Sequence, residues 1–358
     1  MKKKINIVPV FVPHYGCPND CIFCNQRKIT NYEKSIDMDS VRNYIDNYIS
    51  YFNNNDVKRE IAFYGGSFTG IKREDMISYL KIANEYIDKG MIDSIRLSTR
   101  PDYIDDEILT ILKKYKVETI ELGVQSMNDE VLIANNRGHN SQAVICASNL
   151  IHEYDFKLGL QMMIGLYKDD EKTAFKTAKK FIEMKPDIVR IYPTLVIEDT
   201  YLETLYKLNK YTPLDINKAV KIIKPIYALF KVNDIDVSRI GLQPTENINE
   251  EGSVVAGPFH AAFRQLVEQE LYREALEKYL SIYKNIDEIF IEVPNSQMSY
   301  IVGNKAENKK YLKNRFNISK ISFKAINGDK IYITINNDKK IELDIKEFYR
   351  EYLLEKEV

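Results

Sequence analysis

Cysteine is scarce in this chain, with four residues in 358. The first residues carry no secretory signal pattern, and no apolar run is long enough to cross a membrane. Disulfide frameworks belong to oxidising compartments and to cysteine-rich chains. These absences predict a cytoplasmic protein without disulfides and without membrane contact.

An excess of charge of one sign is also missing, because 51 lysines and arginines face 52 aspartates and glutamates. A balanced total argues against a polyanion-binding surface over the whole chain, although it leaves room for a local basic patch. Low-complexity segments are absent. The length and the hydrophobic fraction of 44% suffice for one large core and a smaller appendage.

What the sequence does contain is a compact cysteine motif. Three of the four cysteines, Cys17, Cys21 and Cys24, lie in one short stretch directly after an apolar run from Ile5 to Val12. Three thiolates can hold three corners of a four-iron cluster and leave one iron with an open coordination position. The spacing therefore predicts an iron-sulfur cluster at which chemistry takes place.

A zinc site is the alternative for these cysteines, completed by Cys146, His14 or His139. Structural zinc sites usually take paired ligands from two separate loops, which disfavours this alternative. Cys146 lies in a segment with helical spacing, and we expect it to be a small buried apolar residue.

Up to about residue 243 the chain alternates short apolar runs with longer amphipathic stretches, as repeated βα units do. Near-continuous apolar strands separated by helices indicate a parallel sheet buried on both faces, either a barrel or an open doubly wound sheet. The predicted strands are Ile5–His14, Glu60–Tyr64, Ser94–Ser98, Thr119–Gln125, Lys157–Ile164, Ile188–Leu195 and Val237–Leu242.

Polar and glycine-rich motifs follow several of these strands. The cysteine motif follows the first strand, Gly65-Gly66-Ser67-Phe68 the second, and Thr99-Arg100-Pro101-Asp102 the third. In parallel α/β folds, ligands gather at the carboxyl ends of the strands. The sequence therefore predicts one site at this edge.

The cysteine spacing with an aromatic residue before the last cysteine resembles the radical S-adenosylmethionine (SAM) superfamily. Further motifs resemble, in order, the radical domain of the Elongator catalytic subunit over roughly residues 5 to 210. These motifs are Gly65-Gly66-Ser67-Phe68, Thr99-Arg100-Pro101-Asp102-Tyr103, Glu121-Leu122-Gly123-Val124-Gln125-Ser126, Asn136-Arg137-Gly138-His139 and Ile191-Tyr192-Pro193-Thr194-Leu195-Val196-Ile197.

The resemblance implies an α/β fold with a partial (β/α)6 barrel, a [4Fe-4S] cluster and SAM as cofactors. An electron from a reductant protein of flavodoxin or ferredoxin type would cleave SAM to methionine and a 5′-deoxyadenosyl radical. In such enzymes the cofactor carries the difficult chemistry and the protein orients it.

Carried over residue by residue, the resemblance makes Cys17, Cys21 and Cys24 the cluster ligands. Arg137 is well suited to the SAM carboxylate because its planar fork donates two parallel hydrogen bonds. Ser98 stands where related sequences have glutamate, so either Glu121 replaces that contact or the serine makes it more weakly. The implied SAM-binding residues are Tyr15, Phe23, Gly65, Gly66, Ser67, Ser98, Gln125, Arg137 and Gln161.

The predicted division of the chain is a radical SAM barrel over residues 1–213, a helical extension or lid over 214–284, and a small α+β domain over 285–358. The Elongator subunit carries an acetyltransferase domain after its radical domain. No glycine-rich acetyl-CoA loop occurs between Thr245 and Val358, so acetyl-CoA is not an expected partner.

The last segment resembles the KH module, in which a Gly-x-x-Gly loop between two helices clamps a nucleic-acid backbone. Here Ala306 stands at the fourth loop position, which departs from that pattern. The segment is rich in lysine, and a solvated helix face explains that richness as well as RNA binding does. The candidate RNA-binding residues are Gly303, Lys305, Lys309, Lys310 and Lys313.

Three hypotheses follow for the function. The first is a radical SAM enzyme that modifies RNA, most plausibly tRNA. The second is a radical SAM oxidoreductase with a small-molecule substrate, as in the anaerobic coproporphyrinogen oxidases. The third is a non-enzymatic protein that carries a cluster or binds RNA.

Overall fold

The structure is a computed structural model that describes residues 5–12, 21–25, 37–52, 57–242, 252–338 and 340–356. The chain forms two compact units. The barrel unit lies within residues 2–215 and 235–259, and the C-terminal unit comprises 216–234 and 260–358. The division into three parts drawn from the sequence stays a prediction.

The barrel unit is built on seven parallel strands in the order β1-β2-β3-β4-β5-β6-β8, as the alternation of apolar runs and helices predicts. The short strands β7 and β9 pair with each other outside this sheet. The strands are β1 (Ile5–Val12), β2 (Lys58–Gly65), β3 (Ser94–Thr99), β4 (Val117–Gln125), β5 (Lys157–Ile164), β6 (Ile188–Pro193), β7 (Val196–Ile197), β8 (Asp236–Ile240) and β9 (Val254–Ala256).

The helices of this unit begin at polar caps, which accept hydrogen bonds from otherwise unpaired backbone N–H groups. Asp105, for example, accepts from the backbone N–H of Ile108 at 2.7 Å, and Asp170 accepts from that of Thr173 at 2.7 Å. The helices are α1 (Met38–Ser50), α2 (Arg73–Asp88), α3 (Asp106–Lys114), α4 (Asp129–Ala134), α5 (Ser141–Glu153), α6 (Glu171–Glu183) and α7 (Tyr201–Lys207).

The two faces of the sheet differ sharply in polarity. Alternate side chains of β2 and β3, such as Ile61, Phe63 and Leu97, are fully buried and apolar. Their neighbours in sequence, such as Glu60 and Arg96, point to the other face and are buried but charged. In these two strands the outer face is therefore apolar, and the inner face carries buried charged residues.

Curvature closes the polar face into a half-barrel. Arg190 on β6 donates to the hydroxyl of Tyr64 on β2 at 2.6 Å, although β3, β4 and β5 lie between the two strands. Only a strongly curled sheet brings these strands so close. The predicted partial barrel is confirmed.

The C-terminal unit packs helices against a four-stranded sheet of order β11-β10-β12-β13. Its strands are β10 (Glu288–Pro294), β11 (Lys320–Ile326), β12 (Ile331–Ile335) and β13 (Ile341–Leu343). Its helices are α8 (Ile216–Val232), α9 (Phe263–Leu280), α10 (Met298–Val302), α11 (Glu307–Phe316) and α12 (Ile345–Glu355). Strands β10 and β11 are parallel, and β12 runs antiparallel to β10.

The loop between α10 and α11 has a backbone of the kind that favours glycine. Gly303, Lys305 and Ala306 have φ values of 81°, 48° and 60°. A Cβ on Gly303 would lie 2.9 Å from the backbone nitrogen of Asn308, so only glycine fits there. Gln269 of α9 holds the loop by accepting from the backbone N–H of Asn304 at 2.9 Å. The KH resemblance of this segment stays a prediction.

Within the described ranges, no helix combines the length and the apolar character that a membrane span needs.

Candidate functional site

The cysteine loop is anchored to two neighbouring segments by its backbone. The N–H of Ile22 donates to Asn135 O at 3.2 Å, and Ile22 O accepts from the N–H of Leu202 at 2.7 Å. Cys21 is buried and Cys24 is partly exposed, and a turn joins them through a 2.9 Å backbone hydrogen bond. Cys17 and Tyr15, also predicted for this site, lie outside the described residues.

Phe23, which the resemblance implies to bind SAM, lies between the two cysteines in the sequence and is partly buried. It packs on an apolar cluster that includes Val196 of β7 and Leu202 of α7. This packing holds the loop against β7 and α7, which follow β6 in the chain.

Arg137 lies beside the cysteine loop. Its Nη1 is 3.2 Å from the Sγ of Cys21, and its Nη2 donates to the carbonyl oxygen of Gly123 at the end of β4. The side chain is buried. A guanidinium at this position contacts the Cys21 sulfur and can still donate an N–H to an anionic group.

Buried polar atoms without a partner mark the space next to Arg137. Among the described residues, neither the Oε1 of Gln125 nor the Nε of Arg137 has a hydrogen-bond partner. Gln125 also has a φ of 72°, an unusual conformation for a residue with a side chain. Buried polar groups are normally satisfied, so one acceptor and one donor are available here to a ligand, which is compatible with the SAM-binding roles predicted for Gln125 and Arg137.

Gly123 leaves the room that this arrangement needs. A Cβ there would lie 3.2 Å from Gln125 Nε2 and 3.5 Å from Arg137 Nη2. Glycine at this position therefore avoids a tight contact with the Gln125 side chain.

The diglycine turn follows β2, as predicted. Gly65 has a φ of 107°, which only glycine adopts without strain. Ser67 is buried, and its hydroxyl already forms hydrogen bonds within the protein. Its Oγ is 2.7 Å from Thr99 Oγ1 and accepts from the backbone N–H of Arg100 at 3.2 Å. Ser67 therefore braces the turn against β3.

Ser98 and Gln161 are brought together, as the sequence could not show. Gln161 Nε2 donates to Ser98 Oγ at 3.1 Å and to Glu121 Oε2 at 2.9 Å. The Glu121 carboxylate is therefore engaged inside the protein. Ser98 stands where related sequences have a glutamate, and one alternative was that Glu121 makes the contact of that glutamate instead. For Glu121 to do so directly, its hydrogen bond to Gln161 would have to break.

Glu121 is the centre of a buried ion network that sequence reasoning missed. Arg96 Nη1 donates to its Oε1 at 3.0 Å, and Arg190 contacts both of its oxygens at 2.8 Å. Arg96 also pairs with Glu60 at 2.6 Å. Burial alone would raise the pKa of Glu60, but the charges of Arg96 and Lys58 hold it below its ordinary value.

Two tyrosines complete the interior of the barrel. Arg190 donates to the hydroxyl of Tyr64 at 2.6 Å and to that of Tyr192 at 3.3 Å. The guanidinium also lies 4.9 Å from the ring centroid of Tyr64. Burial, followed by the charge of Glu121, raises the pKa of Tyr64 to about 12, so the phenol stays protonated near neutral pH.

A sequence signal for this network did exist. Glu60, Arg96 and Arg190 are charged residues within predicted buried strands, at positions that share one face with the tyrosines. Charges at inward positions of such strands are costly unless they are paired, so their presence indicated a polar interior.

Within the described residues, no group of three or more His, Cys, Asp and Glu side chains is placed to bind a metal. Cys17 and His14 lie outside these residues, so the zinc alternative stays a hypothesis. His139 is buried, and its pKa is lowered to about 4 by that burial and by the charges of Arg137 and Arg100. The expectation that Cys146 is buried was wrong. It is exposed on α5, because the face buried by Val144 and Ala147 does not include it.

The residues predicted to bind RNA surround the loop between α10 and α11. Gly303 is buried, Lys305, Lys310 and Lys313 are exposed, and Lys309 is partly exposed. Within the described residues, none of these four lysines forms an ion pair with a carboxylate. Their contribution to RNA binding stays a prediction.

Comparison with known proteins gives two family matches. Residues 11–181 match the Radical SAM superfamily, and residues 186–273 match the Radical_SAM C-terminal domain. The chain belongs to the radical SAM superfamily and is an enzyme of that class. Members of the superfamily use a [4Fe-4S] cluster and SAM and need a reductant.

Two curated relatives come from Methanocaldococcus jannaschii. The uncharacterized protein MJ0486 is 31% identical over 238 residues, which is 62% of this chain and 71% of that protein. A tRNA uridine(34) acetyltransferase is 35% identical over 130 residues, which is 36% of this chain and 24% of that protein. The match thus spans about a quarter of the acetyltransferase.

Among solved structures, Methanocaldococcus infernus Elp3 with an N-terminal deletion has a similar fold. The TM-score is 0.60 at 20% identity, and the match covers 76% of this chain and 64% of that chain. The resemblance to the Elongator-type radical domain is confirmed, and the similarity at this identity concerns the fold.

Proposed function

We propose that this protein uses a [4Fe-4S] cluster and SAM to modify RNA, with tRNA as the substrate class. The cluster would be held by Cys17, Cys21 and Cys24. When bound, cluster and SAM supply a 5′-deoxyadenosyl radical that abstracts a hydrogen atom from the substrate. The proposal for the cofactor is supported by one observation above all: Arg137 lies 3.2 Å from Cys21, and among the described residues its Nε and the nearby Gln125 Oε1 are buried without a hydrogen-bond partner.

The residues of the chain have separate tasks in this proposal. Arg137 and Gln125 bind and orient the carboxylate and ribose of SAM. Gly65 and Gly66 let the backbone approach its amino group, because neither carries a Cβ. Phe23 covers the adenine, and Tyr15, Ser67, Ser98 and Gln161 shape the remaining wall of the SAM site.

RNA as substrate is supported by the relative that carries the name tRNA uridine(34) acetyltransferase and by the lysines of the C-terminal unit. Lysines that lack carboxylate partners are free to neutralise phosphates, which gives affinity that falls with salt. Lys305, Lys309, Lys310 and Lys313 provide such a group around one loop. The electron would come from a flavodoxin or ferredoxin type protein.

The RNA surface is tested by gel shift with bulk tRNA at low salt. We expect Lys309→Glu/Lys310→Glu to weaken binding at least about tenfold, since two favourable phosphate contacts become repulsive. The matched control is Lys179→Glu/Lys180→Glu, which reverses two adjacent exposed lysines on α6. Equal binding by both double variants and the wild type would remove the C-terminal unit from the proposal.

The substrate class is tested by mass spectrometry of nucleosides from cells with and without the gene. A nucleoside that disappears in the deletion strain and returns with the wild-type gene supports RNA modification. An unchanged nucleoside profile, together with SAM cleavage that rises with a small-molecule extract, supports the small-molecule alternative instead.

A further inference from the structure

The sheet of the C-terminal unit has two unlike faces. Ile289 and Ile291 of β10 and Ile333 of β12 are buried in an apolar core together with residues of α9, α10 and α11. Successive side chains of a strand point to opposite faces of the sheet. Phe290 and Tyr332, which alternate with these isoleucines, are partly exposed and do not belong to that core. The face turned away from the helices therefore carries two aromatic rings.

The two rings lie on the central strands of the sheet. Strands β10 and β12 are antiparallel neighbours, with Phe290 in register with Thr334 and Glu292 in register with Tyr332. Phe290 and Tyr332 are therefore diagonal neighbours on one face, which in antiparallel pairs are about 7 to 8 Å apart. Two rings at this separation can each hold one of two successive unstacked bases.

Short side chains leave the ring of Phe290 uncovered. Its neighbours in register are Ser322 on β11 and Thr334 on β12. The ring of Tyr332 has a cation above it, since Lys340 Nζ lies 4.3 Å from the ring centroid and also pairs with Glu292. Lys340 is exposed, and exposed contacts of this kind contribute little free energy. A base can therefore displace Lys340 from the ring.

The charges of this face leave an excess of one cation. The charged side chains of the face are Lys320, Lys324, Lys330, Lys340, Glu288, Glu292 and Glu342. Three of the lysines pair with the three glutamates, and among the described residues Lys324 pairs with no carboxylate. A face with this many charges lacks the apolar centre of a stable dimer interface. Flat apolar groups on an anionic backbone match both the rings and the unpaired lysine, and single-stranded nucleic acid combines the two.

We propose that this face is a stacking platform for single-stranded RNA, in which one base stacks on Phe290, the next base stacks on Tyr332, and Lys324 contacts a phosphate. The proposal rests on the proposed RNA function and specifies the form of RNA that the C-terminal unit recognises, namely unpaired bases. The platform is distinct from the lysines of α11, because α11 packs on the opposite face of the sheet.

The test measures binding of a fluorescently labelled oligoadenylate to the full-length protein by anisotropy. We expect Phe290→Leu and Tyr332→Leu each to weaken binding about tenfold and the double variant about 100-fold, since each change removes one base–ring stack. Tyr332→Phe keeps the ring and should bind as the wild type does. The matched control is Phe323→Leu on β11, whose ring packs against the core on the helix side, and it should also bind normally. Thermal unfolding shows that each variant is folded.

Two further measurements separate stacking from attraction to phosphates. The leucine variants should lower the affinity without changing its dependence on salt, because stacking releases no counterions, whereas Lys309→Glu/Lys310→Glu should reduce that dependence. Annealing the oligoadenylate to oligouridylate hides the base faces but keeps the phosphates. The duplex should therefore bind at least about tenfold more weakly than the single strand.

The proposal is overturned if the wild type binds no oligoadenylate, if it binds the duplex as tightly as the single strand, or if the leucine variants bind as well as the wild type. It is also overturned if sedimentation shows a wild-type dimer that Phe290→Leu converts to monomers at unchanged RNA affinity. Ring-dependent binding with no effect of tRNA on SAM cleavage would support the platform and refute RNA modification. Unaltered binding by the leucine variants, with cleavage that tRNA stimulates, would refute the platform and keep the RNA function.

Discussion

Arg190 and Tyr64 are separated by 126 residues and by three strands of the sheet, yet the guanidinium Nη2 lies 2.6 Å from the phenol oxygen. The contact spans the interior of the half-barrel, between β2 and β6. It joins the ion network around Glu121 to the strand that leads into the diglycine turn. The hydrogen bond between Arg190 and Tyr64 therefore links the polar interior to the strand that carries part of the candidate SAM site.

Replacing Arg190 tests how much the interior network contributes to stability. Arg190→Met leaves Glu121 with a buried charge that only Arg96 offsets, so we expect the free energy of unfolding to fall by about 3 to 5 kcal/mol. Urea denaturation measures it. Lys116→Met, which breaks the exposed pair with Asp88, should cost less than about 1 kcal/mol. Similar small losses for both variants would show that the network is not tightly coupled.

Arg137 provides the most specific test of the cofactor site. Arg137→Lys keeps the charge but removes the fork that contacts both Cys21 and Gly123, so SAM affinity should fall about tenfold. Equilibrium dialysis with radiolabelled SAM measures the change. Arg42→Lys on α1, where the arginine pairs with Glu85 at the surface, is the matched control and should bind SAM normally. Wild-type SAM affinity in Arg137→Lys would place the SAM carboxylate elsewhere.

Ala306 adopts a left-handed conformation with a φ of 60°. That conformation costs a residue with a Cβ about 1 to 2 kcal/mol, whereas glycine adopts it freely. Ala306→Gly should therefore stabilise the protein by about 1 kcal/mol, as measured by urea denaturation. Ala219→Gly, in the interior of α8, should instead destabilise it by about 1 kcal/mol. A loss of stability in Ala306→Gly would contradict the loop conformation.

Asp169, in the loop after β5, makes stability depend on pH. Its burial raises the pKa of the carboxyl from 3.8 to about 7. Between these values the folded protein keeps a proton that the unfolded chain has lost, so stability falls as pH rises from about 4 to 7 and then levels off. The loss amounts to at most about 4 kcal/mol. Asp169→Asn should flatten this part of the stability profile, which thermal unfolding across pH measures.

The exposed Asp155→Asn is the control for that experiment, because it changes an aspartate whose side chain is in water. Its profile should follow that of the wild type. Should Asp169→Asn lose stability with rising pH as steeply as the wild type does, Asp169 is not the group that titrates.

Much of the barrel was predictable because the buried strands are continuous apolar runs. The predicted Lys157–Ile164 strand coincides with β5, and the glycines and polar residues that follow strands do lie at their carboxyl ends. Local sequence fixes such features, since they depend on residues a few positions apart.

Contacts inside the barrel were not predictable in the same way. The pairing of Arg190 with Tyr64, and of Gln161 with Ser98, depends on how strongly the sheet curls, which no local pattern reports. The error for Cys146 has a related cause: the segment is a helix as expected, but the face turned to the core is set by tertiary packing.

The most direct test of the whole account is the anaerobic formation of 5′-deoxyadenosine from SAM by the reconstituted, dithionite-reduced protein, with and without bulk tRNA. We predict that intact tRNA raises the rate, that the same tRNA digested with ribonuclease does not, and that Cys24→Ala abolishes cleavage. A rate of SAM cleavage that does not change with tRNA and rises only with small molecules would contradict the RNA function. No SAM cleavage under any condition would contradict the assigned cofactor chemistry.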